Sequence, residues 1–292
     1  MTVASGGRSP SAGSSAGRSS PTGRRARSGR CRPSRGGGWA GSRNFGRFHD
    51  PSARPLVHHP ACVAVTPTTA PRAPGNGNAG RRLGGRRLFN FDRRLGIRFV
   101  AGADEAGRGS LAGPLVAAAV LFDYQRLRPR DVRALGALND SKQHTPEMRE
   151  QLYPVVLRIA ARVAVASRCP ERIDGRGLHV TNLRALRDAL ERVATAGCIC
   201  LVDGFRLADL PHRQRAIVDG DATSAAIAAA SIVAKVTRDR FMHRADALHP
   251  GWDFASHVGY STPEHRAAIQ GRGVSPLHRL SFQSAAYQQL AL

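Results

Sequence analysis

Four carboxylates stand where chemistry could be done. Asp104 and Glu105 continue a short apolar run at 98–103 (RFVAGA). Asp203 closes another at 198–202 (CICLV), and Asp221 follows a third, shorter run at 215–218. Acids at the ends of neighbouring strands converge on one edge of a sheet, which is where open α/β sheets bind ligands. Oxygen donors without His or Cys favour Mg²⁺ or Mn²⁺ over zinc. Two such ions about 4 Å apart can clamp the attacking and leaving oxygens of a phosphodiester displacement. Asp203-Gly204 and Asp219-Gly220 are also ordinary turn pairs. Asp104-Glu105 is harder to read that way, because two acids continuing an apolar strand risk burying charge unless a cation is present. Strand neighbours point to opposite faces, so both acids reach one cluster only if the strand ends or twists there. The turn Ala106-Gly107-Arg108-Gly109 permits that. Spacing alone does not choose between Asp219 and Asp221.

Other polar positions are candidates for binding. The glycines of Gly107-Arg108-Gly109 would let backbone amides approach a ligand closely, or simply make a turn. Ser141 and Lys142 lie in a polar loop (NDSK) suited to a phosphate or to solvent. Tyr260, beside Gly259 and before a helix cap, could stack on a sugar or base, or pack. Lys235, inside an alanine-rich helix, reads as a surface lysine.

The elements that must position these residues begin near residue 88. Two strands, 98–103 and 115–122, are joined by a tight Gly-punctuated turn. A helix starting at Thr145-Pro146 runs into a strand at 162–167. Residues 178–196 have helical apolar spacing and stop before Gly197. Strands at 198–202 and 215–218 precede a small-residue helix at 223–243 and a last helix at 263–270. Strands first, then helices alternating with strands, imply an α/β domain: a mixed sheet with helices on its faces. Cys198 and Cys200 are assigned to opposite sides of their strand. Together with Cys31, Cys62 and Cys169 they are read as reduced, without a metal role, in a cytoplasmic protein.

Composition divides the chain. Of 292 residues, 44 are Lys or Arg and 21 Asp or Glu, a formal charge of +23. Residues 1–87 carry 16 arginines against one acid, Asp50, and the remaining 205 residues carry +8. The leader is rich in Gly, Ser and Pro. It cannot bury enough apolar surface to offset about 1–2 kcal/mol per residue of backbone entropy, and is expected to be disordered. It reads as an electrostatic arm for nucleic acid, a targeting peptide, or an inert or mis-assigned leader. The 88–292 segment is long enough for one domain. No run of about 18 apolar residues suggests a membrane span. Only Lys142 and Lys235 are lysines, which makes both informative.

Taken together these residues resemble ribonuclease H type 2, the bacterial ribonuclease HII family. The likeness spans about residues 91–282. It is carried by AGADEAGRGSLAGPLVAAAV, NDSK, LVDG, GDATSAAIAAASIVAKVTRDR and HVGYSTPEHRAAI followed by HRLSF. The resemblance implies an RNase H-like fold with a helical C-terminal portion. It implies an endoribonuclease that cuts the RNA strand of RNA–DNA hybrids and incises DNA at embedded ribonucleotides, using two Mg²⁺ or Mn²⁺ ions. It makes Asp104, Glu105, Asp203 and Asp221 the metal-binding catalytic acids, so Asp221 is preferred to Asp219 by analogy. Gly107, Arg108 and Gly109 match the turn that reads the ribose 2′-hydroxyl. Tyr260 matches a tyrosine stacking near the RNA–DNA junction, and Ser141 and Lys142 match phosphate contacts. Thr223 and Val258 stand where many members have lysine. A monomer is expected, with a sliding clamp as a candidate partner. The competing readings are a non-catalytic nucleic-acid binder and another nuclease of the superfamily, such as a junction resolvase. Ribonuclease HIII is disfavoured, for want of a folded N-terminal substrate-binding domain.

Overall fold

A computed structural model describes residues 82–138 and 144–282, with Ser284 and Tyr287. The expected disordered leader therefore lies outside the described residues up to position 81, as do Cys31, Cys62, Ser141 and Lys142. A helix absent from the sequence reading, α1 (Arg82–Arg94), crosses the expected boundary at residue 87. Its Leu88 and Phe89 are fully buried, so packing outweighs two glycines and five arginines in its sequence.

Five strands form one mixed sheet in the order β3-β2-β1-β4-β5. They are β1 (Phe99–Ala106), β2 (Leu115–Asp123), β3 (Arg162–Arg168), β4 (Ile199–Asp203) and β5 (Arg213–Ile217). β1 pairs antiparallel with β2, and β2 antiparallel with β3. On its other edge β1 pairs parallel with β4, which pairs parallel with β5. The two central strands are buried on both faces and read as unbroken small-apolar runs, as sheets covered on both sides do.

Alternation along the strands assigns the two faces. Val100, Ala118, Val120, Phe122 and Leu201 pack with α1 and α6 (Ala225–Leu248). Ala101, Ala103, Ala117, Ala119, Cys200 and Val202 pack with α5 (Leu178–Val193). α2 (Pro129–Ala134) and α3 (Pro146–Ile159) join the first layer, and α4 (Pro170–Arg176) leads into α5. The Thr145 hydroxyl accepts from Met148 N, the cap its sequence suggested.

α6 is the axis of the fold. Ala225–Ala230, Ser231 and Ile232–Ala234 are all buried. A Cβ on Gly102 of β1 would come 2.1 Å from Ala226 C, so only glycine lets the strand approach this helix. Ser224 caps α6 by accepting from Ile227 N, and the Asp92 carboxylate of α1 accepts from Ala226 N at 3.0 Å. An anion there also complements the helix dipole. α6 runs five residues past the expected His243, and α7 (Phe254–His257) and α8 (Pro263–Arg272) complete the described helices.

The cysteine reading is corrected. A strand has a period of two, so residues two apart share a face. Cys198 and Cys200 both point toward α5, with their Sγ atoms 4.0 Å apart, and both are free thiols, as is Cys169. Among the described residues no helix is long and apolar enough to cross a membrane.

Candidate active site

The parallel pairing of β1 with β4 brings the first two acids together. Its last registered pair is Ala103 with Val202, so one step further sets Asp104 beside Asp203. Both lie on the α6 face, two residues beyond Gly102 and Leu201. The backbone N–H of Gly220 donates to Asp203 Oδ1 at 2.8 Å. That contact draws the 3-10 turn Gly220–Ala222, with Asp221 at its centre, onto the end of β4.

The structure separates Asp221 from Asp219, which spacing could not. Asp219 is exposed and left-handed at φ 50°, and its carbonyl accepts from Ala222 N and the Thr223 hydroxyl. It is the turn former. Asp221 is buried at the turn it makes.

Asp104 is 6% exposed. Its Oδ1 accepts from Glu105 N at 2.7 Å. Burial, first, and then the charges of Glu105 and Asp203 hold its carboxyl well above the usual carboxylate range. A hydrogen bond with Ser231 of α6 works the other way, favouring the charged form. Glu105 pairs with Ala117 and so faces the α5 side. The strand does not end there, as it continues to Ala106, yet the two carboxylates still repel each other. Arg108 Nη1 lies 3.8 Å from Glu105 Oε1, and its guanidinium lies over the Phe205 ring.

The glycine turn after β1 is clasped from behind by two arginines that are fully buried. Arg238 of α6 donates to the carbonyls of Ala112, Pro114 and Val258. Arg279 donates twice to Gly113 O and once to Arg108 O. A Cβ on Gly107, at φ 86°, would come 2.0 Å from Arg238 Nε. The N–H groups of Leu111 and Ala112 both donate to Gly259 O, tying this loop to Tyr260. Tyr260 is half-exposed, with Lys235 Nζ 5.2 Å and the Arg238 guanidinium 5.5 Å from its ring. Lys235 is thus no plain surface lysine, as it also pairs with Asp239 at 2.8 Å.

Three buried histidines anchor this corner. His257 stacks on His265, and His265 Nε2 lies 3.1 Å from His278 Nε2. His265 Nδ1 donates to Tyr260 O, and His278 Nδ1 accepts from Ser275 N. That assignment leaves both rings neutral, and burial pushes both down to about 4.

The structure brings Asp104, Asp203 and the Asp221 turn together and ties the glycine turn to Tyr260, and it adds Ser231, Arg238 and Arg279, to which sequence reading assigned no such role. Ser231 and Arg238 are seven residues apart in α6 and so share a helix face. An arginine on the small-residue face of a helix was the available signal. Ser141 and Lys142 lie outside the described residues.

The donor set suits a hard divalent cation: carboxylate oxygens, one of them burdened by two like charges. Among the described residues no three His, Cys, Asp or Glu side chains stand close enough to hold a metal ion as they are. Asp104, Glu105 and Asp203 are near enough for their charges to act on one another without forming a closed cage.

The sequence model of the family described as Ribonuclease HII matches residues 101–285. The ribonuclease HII of Rhodococcus opacus is 45% identical over 193 residues, covering 66% of this chain and 83% of that protein. The chain belongs to the ribonuclease HII family. It is therefore an endonuclease and a hydrolase. The crystal structure of ribonuclease H2 from Pyrococcus horikoshii superposes with a TM-score of 0.55 at 27% identity, over 66% of this chain and 96% of that one. The Archaeoglobus fulgidus RNase HII, solved in complex with PCNA, gives 0.53 at 28% identity over 62% and 92%. The five-stranded mixed sheet with flanking helices is thus an RNase H-like fold.

Proposed function

We propose that Asp104, Glu105, Asp203 and Asp221 hold divalent Mg²⁺ or Mn²⁺, and that the chain cuts RNA–DNA hybrids and DNA carrying embedded ribonucleotides. The observation that carries this reading is the meeting of Asp104 and Asp203 on adjacent parallel strands with the Asp221 turn fastened to Asp203. Cations held by these carboxylates would supply Lewis-acid stabilisation of the attacking and leaving oxygens. The carboxylates position that charge, and the Ser231 hydrogen bond favours the ionised form of Asp104 against burial and its acidic neighbours. The Gly107-Arg108-Gly109 backbone meets the ribose 2′-hydroxyl, the group that distinguishes RNA from DNA. Arg238 and Arg279 hold that backbone in place from behind. Tyr260 stacks at the junction, and Ser141 and Lys142 grip a phosphate. Water attacks the phosphorus 5′ of the ribonucleotide, leaving a 3′-hydroxyl and a 5′-phosphate. By analogy with the Archaeoglobus relative, a sliding clamp is a partner. The catalytic domain is 88–292, a span that starts inside α1 and follows the basic leader.

The test is a duplex carrying one ribonucleotide, incubated with Mg²⁺ or Mn²⁺. The wild-type chain nicks it at the ribonucleotide and leaves an all-DNA junction intact. Asp104→Asn abolishes nicking while still binding. Substantial turnover by that variant would sink the assignment of the acids, and a wild-type chain that binds without nicking would favour the non-catalytic reading.

A further inference from the structure

A cavity of about 420 Å³ opens between α1 and the residues that follow Asp221. Arg86, Arg87, Asn90, Phe91 and Arg94 line it from α1, and Thr223 lines it from the other side. Arg87, Asn90, Phe91 and Arg94 recur at helical spacing, so one face of the helix builds the wall. Ala222, also in the wall, is next to Asp221, about 3.8 Å away from Cα to Cα. Arg87 Nη2 donates to Ala222 O at 3.1 Å, which fastens α1 to this turn. The edge strand extends the basic surface, with Arg215 lying 5.9 Å over the Phe91 ring.

Of these arginines, Arg87 is accounted for by its bond to Ala222 O. Arg86, Arg87 and Arg94 are exposed, and among the described residues none forms an ion pair with a carboxylate. Arg94, in the last turn, complements the helix dipole. Arg86 and Arg87 lie in the second turn of a helix whose first turn has no acid. Guanidinium forks are suited to phosphate oxygens.

We infer that this cleft seats backbone phosphates of the bound duplex, beside the acid cluster. The inference rests on the reading above that the ligand is a nucleic acid, and it adds a binding site on α1. Arg86 and Arg94 contact phosphate directly, and Arg87 sets the wall.

The experiment measures binding of a ribonucleotide-containing duplex to full-length Asp104→Asn protein, with and without Arg86→Ala and Arg94→Ala, across a salt series. Two lost phosphate contacts weaken binding by about tenfold or more near 0.1 M salt and flatten the log–log salt slope by about 1.8. Arg86→Lys with Arg94→Lys restores most of the slope, which separates lost charge from lost folding. Arg184→Ala with Arg192→Ala, two exposed arginines on α5, removes the same charge from the opposite layer and leaves the slope unchanged. An unchanged slope in the α1 variant overturns the cleft, and so does an equal loss in the α5 variant. Wild-type protein that fails to nick while the α1 variant loses slope would overturn the catalytic reading and leave the cleft standing.

Discussion

Two buried carboxylates on the same side of the sheet carry their charge in different company. Asp92 of α1 is surrounded by donors: the Tyr124 hydroxyl at 2.7 Å, Ala226 N at 3.0 Å, and the Ser224 side chain. Burial raises it, each of those hydrogen bonds lowers it, and the balance stands at about 6. Asp104 has the Ser231 side chain and one backbone N–H, and beside them Glu105 and Asp203. Its proton affinity rises from burial and also from repulsion. Asp92 ties α1 to Tyr124 and to α6 through Oδ2. Asp104 has an excess of negative charge that a cation would relieve. Burial alone does not mark a reactive carboxyl, and the neighbours decide.

Replacing each acid separates the two roles. Asp104→Asn abolishes detectable cleavage, a loss of about 10³-fold or more, equivalent to at least about 4 kcal/mol. Its unfolding free energy stays level or rises, because a repelled charge has gone, as denaturant titration at pH 7 would show. Asp92→Ala does the reverse. It strands the Tyr124 hydroxyl and Ala226 N, costs about 3 kcal/mol in unfolding free energy, and leaves cleavage per folded molecule within a few-fold. If Asp92→Ala abolished cleavage in folded protein, the two acids would not be distinct in kind.

The pH dependence sharpens the same contrast. Asp92 has a folded pKa raised from 3.8 to about 6. Its contribution is fully present below 3.8 and is lost as pH rises through about 6, an effect on the order of 3 kcal/mol. His265 and His278 act with the opposite sign. Their folded values are depressed from 6.5 to about 4, so their contribution is present above 6.5 and is lost as pH falls through about 4. Subtracting the stability curve of Asp92→Asn from that of the wild type isolates the first effect. The difference should grow as pH falls from 7 to 4, and a flat difference would return Asp92 to ordinary carboxylate behaviour.

The smallest effect concerns the one side chain that helps Asp104 stay ionised. Ser231→Ala removes a hydrogen bond of about 1 kcal/mol, so cleavage falls about fivefold. Steady-state rates at pH 7 would show it, and an unchanged rate would make Ser231 a packing residue only.

Much of this was legible before any coordinates. The strands announce themselves as apolar runs because they are buried on both faces, and the acids close those runs. The α5 and α8 starts, at Leu178 and Pro263, fall where their spacing and caps put them. α1 was not legible. RLGGRRLFNFDRR is a poor helix by propensity, and it forms because Leu88 and Phe89 have α6 and its neighbours to pack against. Arg238 and Arg279 were hidden for a similar reason. Their carbonyl partners lie more than 100 residues away along the chain, apart from Val258.

By itself the sequence determined the chemistry available: hard oxygen donors at strand ends, a glycine turn, a tyrosine, and motifs sufficient to place the family. It also determined the uneven charge, with a +15 leader ahead of a +8 remainder. Tertiary structure decided which groups meet. Strand register set Asp104 beside Asp203, a 3-10 turn buried Asp221 and left Asp219 outside, and a shared face brought two cysteine sulfurs within 4.0 Å. Spacing reports only local geometry. Register, burial and the approach of distant elements depend on contacts the chain makes with itself after folding.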